Sequence, residues 1–186
     1  ADMIRLKFYG LGGQGVVTAA KVLSAAVSIH EDKYAVTIPA YGHERRGAPV
    51  YTDVVVDNEP ILLNCFVYEP DIVLVMDPSV REKNIDVGKG KHDGTVLVLN
   101  TKSEREASEY MEQYGFQKAY YTDAVDVALK WIRRPIPNGA MLGALSKTGL
   151  VSIESVMAAL KETFGEKAGD KNANAAREAY ERTCEM

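Results

Sequence analysis

Four glycines within six residues mark the turn between the first predicted strand and the first predicted helix. The stretch reads Phe8-Tyr-Gly-Leu-Gly-Gly-Gln-Gly-Val-Val, with the strand over residues 4–9 and the helix over about 16–29. Glycine tolerates positive φ and close backbone approach, so this turn can present N–H groups at a helix N-terminus, where the dipole favours an anion. The alternative is a tight turn whose glycines serve only packing. The candidate ligand-binding residues are Gly10, Gly12, Gly13, Gln14, Gly15 and Thr18.

The same stretch matches the G-x-G-x-x-G fingerprint of dinucleotide-binding proteins, which also requires an acidic residue for the ribose at the end of the second strand. The second predicted strand, residues 34–38, runs into Pro39-Ala-Tyr-Gly without a carboxylate. NAD is therefore a weakened prediction. A free-standing NAD(P)-dependent dehydrogenase and a regulatory or scaffolding module stay open as alternatives.

The composition narrows the class of protein. A chain of 186 residues is long enough for one well-buried α/β domain, and the net charge of −4 argues against nucleic acid as the main partner. The sequence has no apolar run of roughly 18 residues and no signal-peptide layout, so we expect a cytoplasmic protein without a membrane partner. Two distant cysteines and three scattered histidines predict no metal site.

The pattern of apolar residues predicts a three-layer, Rossmann-like α/β fold, with helices on both faces of a mixed, mostly parallel sheet. Residues 72–76 and 95–99 are continuous apolar runs typical of buried parallel strands. Residues 50–56 and 61–67 flank Asp57-Asn-Glu-Pro and predict an antiparallel hairpin. We expect a single domain, 1–186, with a core of about 1–165 and a C-terminal docking helix within 166–186.

Capping residues place the remaining helices. Ser103 and Gly115 bound one helix, and Thr122 is expected to cap a helix over 123–131. Asp77 follows its strand at the edge where open α/β sheets bind ligands, but we expect it to cap the next segment rather than to contact a ligand. Further predictions are that Asn138 caps a helix over 139–146 in which Gly143 allows another backbone to approach, that Ser152 starts a helix stopped by Gly165, and that 170–186 is a polar helix.

The loop over residues 37–49 is unusual for a connector, because Glu44, Arg45 and Arg46 lie between two glycines. An arginine pair can bind a carboxylate, a phosphate or an acidic group of a partner chain. An exposed loop with a local Glu–Arg pair of little energetic value is the alternative. The candidate interface or anion-contacting residues are Tyr41, Glu44, Arg45 and Arg46.

Taken together, the two glycine-containing motifs resemble the gamma subunit of the 2-oxoacid:ferredoxin oxidoreductases. The resemblance rests on Tyr9-Gly-Leu-Gly-Gly-Gln-Gly-Val and on Tyr41-Gly-His-Glu-Arg-Arg-Gly-Ala-Pro-Val. It continues through Glu69-Pro-Asp-Ile-Val-Leu-Val-Met-Asp, Asp93-Gly-Thr-Val-Leu-Val-Leu-Asn-Thr, residues 138–145 and Gly149-Leu-Val-Ser. The version Ala48-Pro49-Val50 is more similar to pyruvate-type than to 2-oxoglutarate-type subunits.

This resemblance implies a complex that oxidatively decarboxylates a 2-oxoacid, pyruvate or a related one, to acyl-CoA, CO2 and reduced ferredoxin. It implies thiamine diphosphate and iron–sulfur clusters on partner subunits of alpha, beta and delta type, and no catalytic residue on this chain. The chain would serve assembly and cover the active region, with the glycine-rich turn contacting CoA or remaining purely interfacial. The small subunit of indolepyruvate oxidoreductase is a related alternative.

Overall fold

The computed structural model describes residues 3–40, 45–62 and 66–186. They form one seven-stranded sheet in the order β2-β3-β1-β4-β5-β6-β7. The neighbours β1, β4, β5 and β6 are parallel, whereas β3 is antiparallel to both β1 and β2, and β7 is antiparallel to β6. The strands are β1 (Ile4–Leu11), β2 (Tyr34–Pro39), β3 (Pro49–Asp57), β4 (Ile72–Val75), β5 (Val96–Asn100), β6 (Lys118–Thr122) and β7 (Cys184–Glu185).

Helices cover both faces of the sheet, as predicted. The first face packs against α1 and the C-terminal helices through a large apolar core that includes Leu6, Phe8 and Leu74. The second face packs against α2 through a smaller core that includes Val73, Leu97 and Tyr110. The helices are α1 (Val16–Ile29), α2 (Glu104–Tyr114), α3 (Ala124–Ile132), α4 (Asn138–Ser146), α5 (Ile153–Phe164) and α6 (Glu166–Arg182), and a 3₁₀ helix spans Pro78–Lys83.

The first strand and helix follow the sequence pattern closely. Leu6 and Phe8 are buried on one face of β1, whereas Arg5 is exposed on the other. Helix α1 begins directly after Gly15, which has a φ of 76°, in the left-handed region that glycine adopts without strain. The turn between them therefore lies at the carboxyl end of β1 and at the N-terminus of α1.

The predicted hairpin between residues 50–56 and 61–67 is wrong. Strand β3 instead pairs with β2 on one side and with β1 on the other. The antiparallel part of the sheet therefore comes from these two pairings and not from a hairpin with residues 61–67. The described residues of 61–67 form no strand, and residues 63–65 lie outside the described structure. Val67, which the structure does describe, donates its N–H to the Asp53 carboxylate at 2.7 Å rather than to a neighbouring strand.

Asp53 is buried on β3, where its carboxylate lies 3.3 Å from Nζ of Lys7 on β1. Burial raises the pKa of Asp53, although the N–H of Val67 and the ammonium group of Lys7 act in the opposite direction. A buried carboxylate requires such partners because transfer out of water disfavours its charged form. The hydrogen bond from Val67 to Asp53 holds the segment after β3 against the sheet.

Most predicted caps are confirmed. Ser103 and Ser152 accept N–H groups of their helices at 3.1 Å, and Gly115 and Gly165 end theirs. The cap of α3 is Asp123, which accepts from Asp126 N–H at 3.1 Å, and not Thr122. A second correction concerns Asn138, which is the first residue of α4 and follows the cap residue Pro137.

The C-terminal region packs on the rest of the chain through small residues. A β-carbon placed on Gly143 of α4 would lie 1.9 Å from the carbonyl oxygen of Ala176 on α6, so the predicted close approach is confirmed. Helix α6 begins at Glu166 and ends at Arg182, so both of its ends come earlier than the predicted 170–186, and Met186 then exchanges backbone hydrogen bonds with Ala119 of β6. No helix of the described residues is long and apolar enough to span a membrane.

Candidate functional site

The glycine loop, Gly10 to Gly15, is hydrogen-bonded to the segment that precedes β3. The N–H of Gly12 donates to the carbonyl oxygen of Ala48 at 2.8 Å, and the N–H of Gly47 donates to the carbonyl oxygen of Gly12 at 3.0 Å. Gly12 and Arg46 form an isolated parallel bridge. These bonds hold residues 45–48 against the glycine loop, so the described part of the arginine-containing motif and the glycine loop form one structural unit.

Gln14 stabilises the glycine loop from inside. Its Oε1 accepts the N–H of Leu11 at 2.8 Å, and its Nε2 donates to Asp77 at 2.7 Å. The second carboxylate oxygen of Asp77 accepts the N–H of Ser79 at 2.9 Å, which confirms Asp77 as the cap of the 3₁₀ helix. The side chain of Gln14 is thus occupied by the protein itself.

Three of the four glycines are required by close packing. A β-carbon on Gly10 would lie 2.6 Å from Cγ2 of Val16, one on Gly12 would lie 2.1 Å from the carbonyl oxygen of Arg45, and one on Gly15 would lie 2.4 Å from Nδ2 of Asn138. Gly13 differs: its φ is 93°, yet a β-carbon there would come no closer than 3.5 Å, to Cγ of Arg46. Gly13 is the exposed residue of the glycine loop.

The glycine loop leaves backbone donors available at the start of α1. Among the described residues, the N–H groups of Gly13 and Gly15 find no backbone or side-chain acceptor. The first turn of α1 contains no acidic side chain. Free N–H groups at a helix N-terminus attract anions, so this geometry would suit an anion.

Two clefts adjoin the glycine loop. The large cleft has a volume of about 580 Å³ and lies between the glycine loop and the N-terminal half of α6. The small cleft has a volume of about 410 Å³ and lies beside Arg46. Three residues line both clefts, namely Gly13, Arg134 and Ile136. The large cleft is also lined by Gly15, Thr18, Ile132, Asn138, Phe164, Lys167, Ala168, Lys171 and Asn172.

The charged side chains that line the clefts are all basic, among the residues the structure describes. Arg134, Lys167 and Lys171 form a basic wall opposite the glycine loop, and Arg46 adds a fourth cation in the small cleft. None of these four forms an ion pair with a described residue. In a chain of net charge −4, such a local excess of cations favours an anionic ligand.

Comparison with known proteins identifies the family. Residues 5–182 match the family described as pyruvate ferredoxin/flavodoxin oxidoreductase. The gamma subunit common to the pyruvate and ketoisovalerate oxidoreductases of Pyrococcus abyssi is 48% identical over 183 residues, which are 97% of each chain. The chain belongs to this family, as a gamma subunit. The resemblance drawn from the two glycine-containing motifs is thereby confirmed.

Two further proteins that this chain resembles are named as subunits of pyruvate oxidoreductases. The pyruvate synthase subunit PorC of Methanothermobacter thermautotrophicus is 44% identical over 180 residues, 96% of this chain and 95% of that one. The crystal structure of the pyruvate oxidoreductase subunit PORC of Thermotoga maritima superimposes with a TM-score of 0.85 at 30% identity, covering 100% of this chain and 99% of that one. The fold is therefore that of the family.

The predicted site residues of the gamma subunit divide into those at a cleft and those away from it. Gly12, Gly13, Gln14, Gly15 and Thr18 line one cleft or both, with Arg46 beside them. Gly10 is buried, and the exposed Arg45 contributes its carbonyl oxygen to the packing against Gly12. The predicted residues Tyr41 and Glu44 lie outside the described structure.

The basic wall was not predicted from the sequence. Arg134 belongs to Arg133-Arg-Pro-Ile-Pro and is one of two adjacent arginines, as are Arg45 and Arg46, so the arginine pair was a signal that could have identified it. Lys167 and Lys171 lie on a helix whose position follows only from its packing against α4 and α5, so no local pattern indicates them.

The strand order also bears on the dinucleotide alternative. In a dinucleotide-binding unit, the strand after the first helix lies next to β1. Here β3 is inserted between β1 and β2. The end of β2 is therefore displaced by one strand from the glycine loop, which agrees with the absence of a ribose-binding carboxylate there.

Among the described residues, no group of three or more His, Cys, Asp or Glu side chains is placed to hold a metal ion.

Proposed function

We propose that this gamma subunit is non-catalytic on its own and completes a heteromeric 2-oxoacid:ferredoxin oxidoreductase. The complex would convert pyruvate or a related 2-oxoacid, with CoA, to acyl-CoA, CO2 and reduced ferredoxin in the cytoplasm. The observation that carries the proposal is the correspondence with gamma subunits along 97% of both chains. Thiamine diphosphate and the iron–sulfur clusters belong, in this proposal, to partner subunits of alpha, beta and delta type.

The side chains of this chain support that division of labour. Iron–sulfur clusters are held by sets of cysteine thiolates, and the whole sequence contains two cysteines. One relative serves both a pyruvate and a ketoisovalerate oxidoreductase, according to its name. A subunit shared in this way cannot choose between the two oxoacids, so we assign the choice of substrate to a partner chain.

The contribution of this chain to the reaction would be to bind the phosphates of CoA. CoA carries a pyrophosphate and a ribose phosphate, so two adjoining basic clefts match its charge. The N–H groups of Gly13 and Gly15 would donate to one phosphate. Thr18, in the first turn of α1, lines the same cleft. Arg134 lines both clefts and would bridge the phosphates. Charge-assisted hydrogen bonds from guanidinium groups to phosphate are strong and directional.

The basic wall supplies the remaining positive charge. Lys167 and Lys171 are exposed, lie one helical turn apart on α6 and both line the large cleft. Lysine acts as a mobile point charge rather than a fixed fork. We therefore assign these two lysines to attraction of the ligand and assign its orientation to Arg134 and the glycine loop.

Arg45 and Arg46, with Tyr41 and Glu44, would contact a sister subunit or the same anion. Arg46 is the member of this group with a structural link to the clefts, because its side chain runs beside Gly13. A purely interfacial role for both motifs is the competing proposal. The indolepyruvate oxidoreductase small subunit is the competing proposal at the level of substrate.

Purification of the complex through a tag on this chain tests the subunit role. Larger chains carrying thiamine diphosphate and iron should be recovered with it, and the isolated chain should show no turnover.

Calorimetric titration of the complex with CoA tests the ligand role. The test variants are Arg46→Ala and Lys171→Ala, and the control is Lys161→Ala, which removes a lysine from α5. Weaker CoA binding in an intact complex supports the proposal. Unchanged CoA affinity together with loss of sister subunits leaves only the interfacial role.

A further inference from the structure

The two edges of the sheet are protected very differently. Strand β7 is two residues long, and its Glu185 pairs with Lys118 at 2.9 Å. Strand β2 is six residues long, reads Tyr-Ala-Val-Thr-Ile-Pro, and carries no charged side chain. Soluble proteins usually protect an edge by making it short or by placing charges on it. No described residue pairs with the outer side of β2.

The pairing on the inner side fixes which backbone groups of β2 point outward. The N–H of Ala40 donates to the carbonyl oxygen of Tyr51 on the β3 side, and the register pairs Ile38 with Asp53 and Val36 with Val55. Because hydrogen-bonding direction alternates along a strand, the backbone groups of Ala35 and Thr37 point outward. Pro39 occupies the third outward position, where its missing N–H breaks no bond to β3.

Apolar side chains flank this edge on both sides of the sheet. Ile29, the last residue of α1, is 66% exposed, and Tyr34, the first residue of β2, is 47% exposed. Lys33, directly before the strand, lies 4.0 Å from Glu31, so its charge has a local partner. The edge therefore combines unpaired backbone groups, an uncharged strand and exposed apolar neighbours.

We propose that the outer edge of β2 is a docking surface for β2 of a second copy of this chain. The two strands would pair antiparallel about a two-fold axis at Val36. Ala35 of each copy would then face Thr37 of the other, and their outward N–H and carbonyl groups would exchange hydrogen bonds. Tyr34 would lie across from Ile38, an aromatic and β-branched pair of the kind that stabilises antiparallel strands.

The charge distribution favours a second copy over an unrelated strand. In a two-fold antiparallel pair every residue meets its own sequence, so a charged residue near the axis would face a like charge. Here Val36 meets Val36, and Lys33 lies across from the uncharged Pro39. An uncharged strand satisfies this requirement of self-pairing, and the interface is isologous, as in most homodimers.

Light scattering after size exclusion of the full-length chain tests this pairing at Val36. We expect a dimer for the wild type and for the control Val36→Thr, and a monomer for Val36→Lys and for Val36→Glu, since like charges would then meet on the axis. Mixing the Lys and Glu variants should restore a dimer, because opposite charges then meet on the axis, with a dissociation constant about ten-fold lower than that of either variant alone. Circular dichroism checks that each variant is folded.

A monomeric wild type at all concentrations would overturn the proposal. A dimer that survives Val36→Lys would overturn it as well, because the axis would then lie elsewhere. If the Lys and Glu variants stay monomeric when mixed, the proposal is also overturned. If the chain is monomeric alone and Val36→Lys abolishes recovery of sister subunits from the complex, the edge binds a sister subunit and the second copy is excluded.

Discussion

The glycine loop and the basic wall line the same clefts but are built in opposite ways. Gly12 of the loop is buried, with its N–H and carbonyl groups both bound to the segment before β3. Arg134, Lys167 and Lys171 of the wall are exposed and have no ion-pair partner among the described residues. The loop therefore determines the shape of the clefts, and the wall determines their charge.

This difference changes the meaning of the glycine motif. Gly10, Gly12 and Gly15 are required mainly because no side chain fits at their positions, whereas a β-carbon on Gly13 would make only ordinary contact with Arg46, at 3.5 Å. The motif is thus both a packing element and a source of free N–H groups. Substitutions in the loop should affect stability first, whereas substitutions in the wall should affect ligand affinity and leave the fold intact.

Gly12→Ala should cause the greatest loss of stability. Its new methyl group would lie 2.1 Å from the carbonyl oxygen of Arg45, so the arginine-containing loop must separate from the glycine loop. Overpacking of this kind costs about 3 kcal/mol of the free energy of unfolding. Gly47→Ala is the control without a clash, because its new methyl group meets no atom within 4 Å. It should cost only about 1 kcal/mol, from placing alanine at a φ of 81°.

Urea unfolding of both variants measures this difference. Equal free energies of unfolding for Gly12→Ala and Gly47→Ala would show that the contact between the two loops contributes nothing, and the glycine loop could not then be the rigid side of the clefts.

An intermediate effect is expected for Arg134→Ala in the assembled complex. Loss of a charge-assisted hydrogen bond to phosphate costs roughly 1.5 kcal/mol, so CoA should bind about ten-fold more weakly. The matched control is Arg133→Ala, which removes the same charge from the adjacent exposed residue that does not line either cleft. Calorimetry at low and high salt reports both affinities. The same loss in both variants would mean that overall charge, and not the position of Arg134, attracts the ligand.

The smallest effect is expected for Glu178→Gln, the acidic residue through which α6 is attached to α3. Glu178 accepts hydrogen bonds from Trp131 at 3.2 Å and from Arg182 at 3.1 Å, and it pairs with Lys130. Burial alone would raise the pKa of Glu178, but the hydrogen bonds from Lys130, Arg182 and Trp131 bring it below its ordinary value of 4.5. The variant should lose about 0.5–1 kcal/mol of unfolding free energy.

The pH dependence of this loss has a definite sign. A carboxyl group whose pKa is lowered by folding stabilises the protein above its ordinary pKa, and the contribution disappears as the pH falls through the folded value. Wild type and Glu178→Gln should therefore differ at pH 7 and converge below pH 4.5. Denaturant midpoints across this range measure it, and a difference that persists in acid would assign the loss to packing.

Local patterns in the sequence were sufficient for the elements that position the glycine loop. The limits of α1, the caps Ser103 and Ser152 and the close approach at Gly143 are all fixed by the immediate neighbourhood of those residues or by their small size. The alternation of Leu6 and Phe8 likewise identified the buried face of β1. In these cases the residue type and the local structure impose the same requirement.

Elements that depend on distant partners could not be predicted in this way. The apolar stretch 61–67 looked like a strand, but β1 and β2 occupy both sides of β3, so no edge was left for it. The end of α6 is set by the pairing of Met186 with Ala119, which no helix signal near Arg182 reveals. The basic wall has the same origin, because Arg134 and Lys171 meet only through the packing of α6.

A cryo-electron microscopy structure of the assembled complex with CoA bound would test the CoA-binding role of the two clefts. We expect a CoA phosphate within hydrogen-bond distance of the N–H groups of Gly13 or Gly15 and of the guanidinium group of Arg134, with Lys167 and Lys171 around the large cleft. CoA phosphates bound only by other subunits, with the clefts of this chain filled by protein, would contradict it.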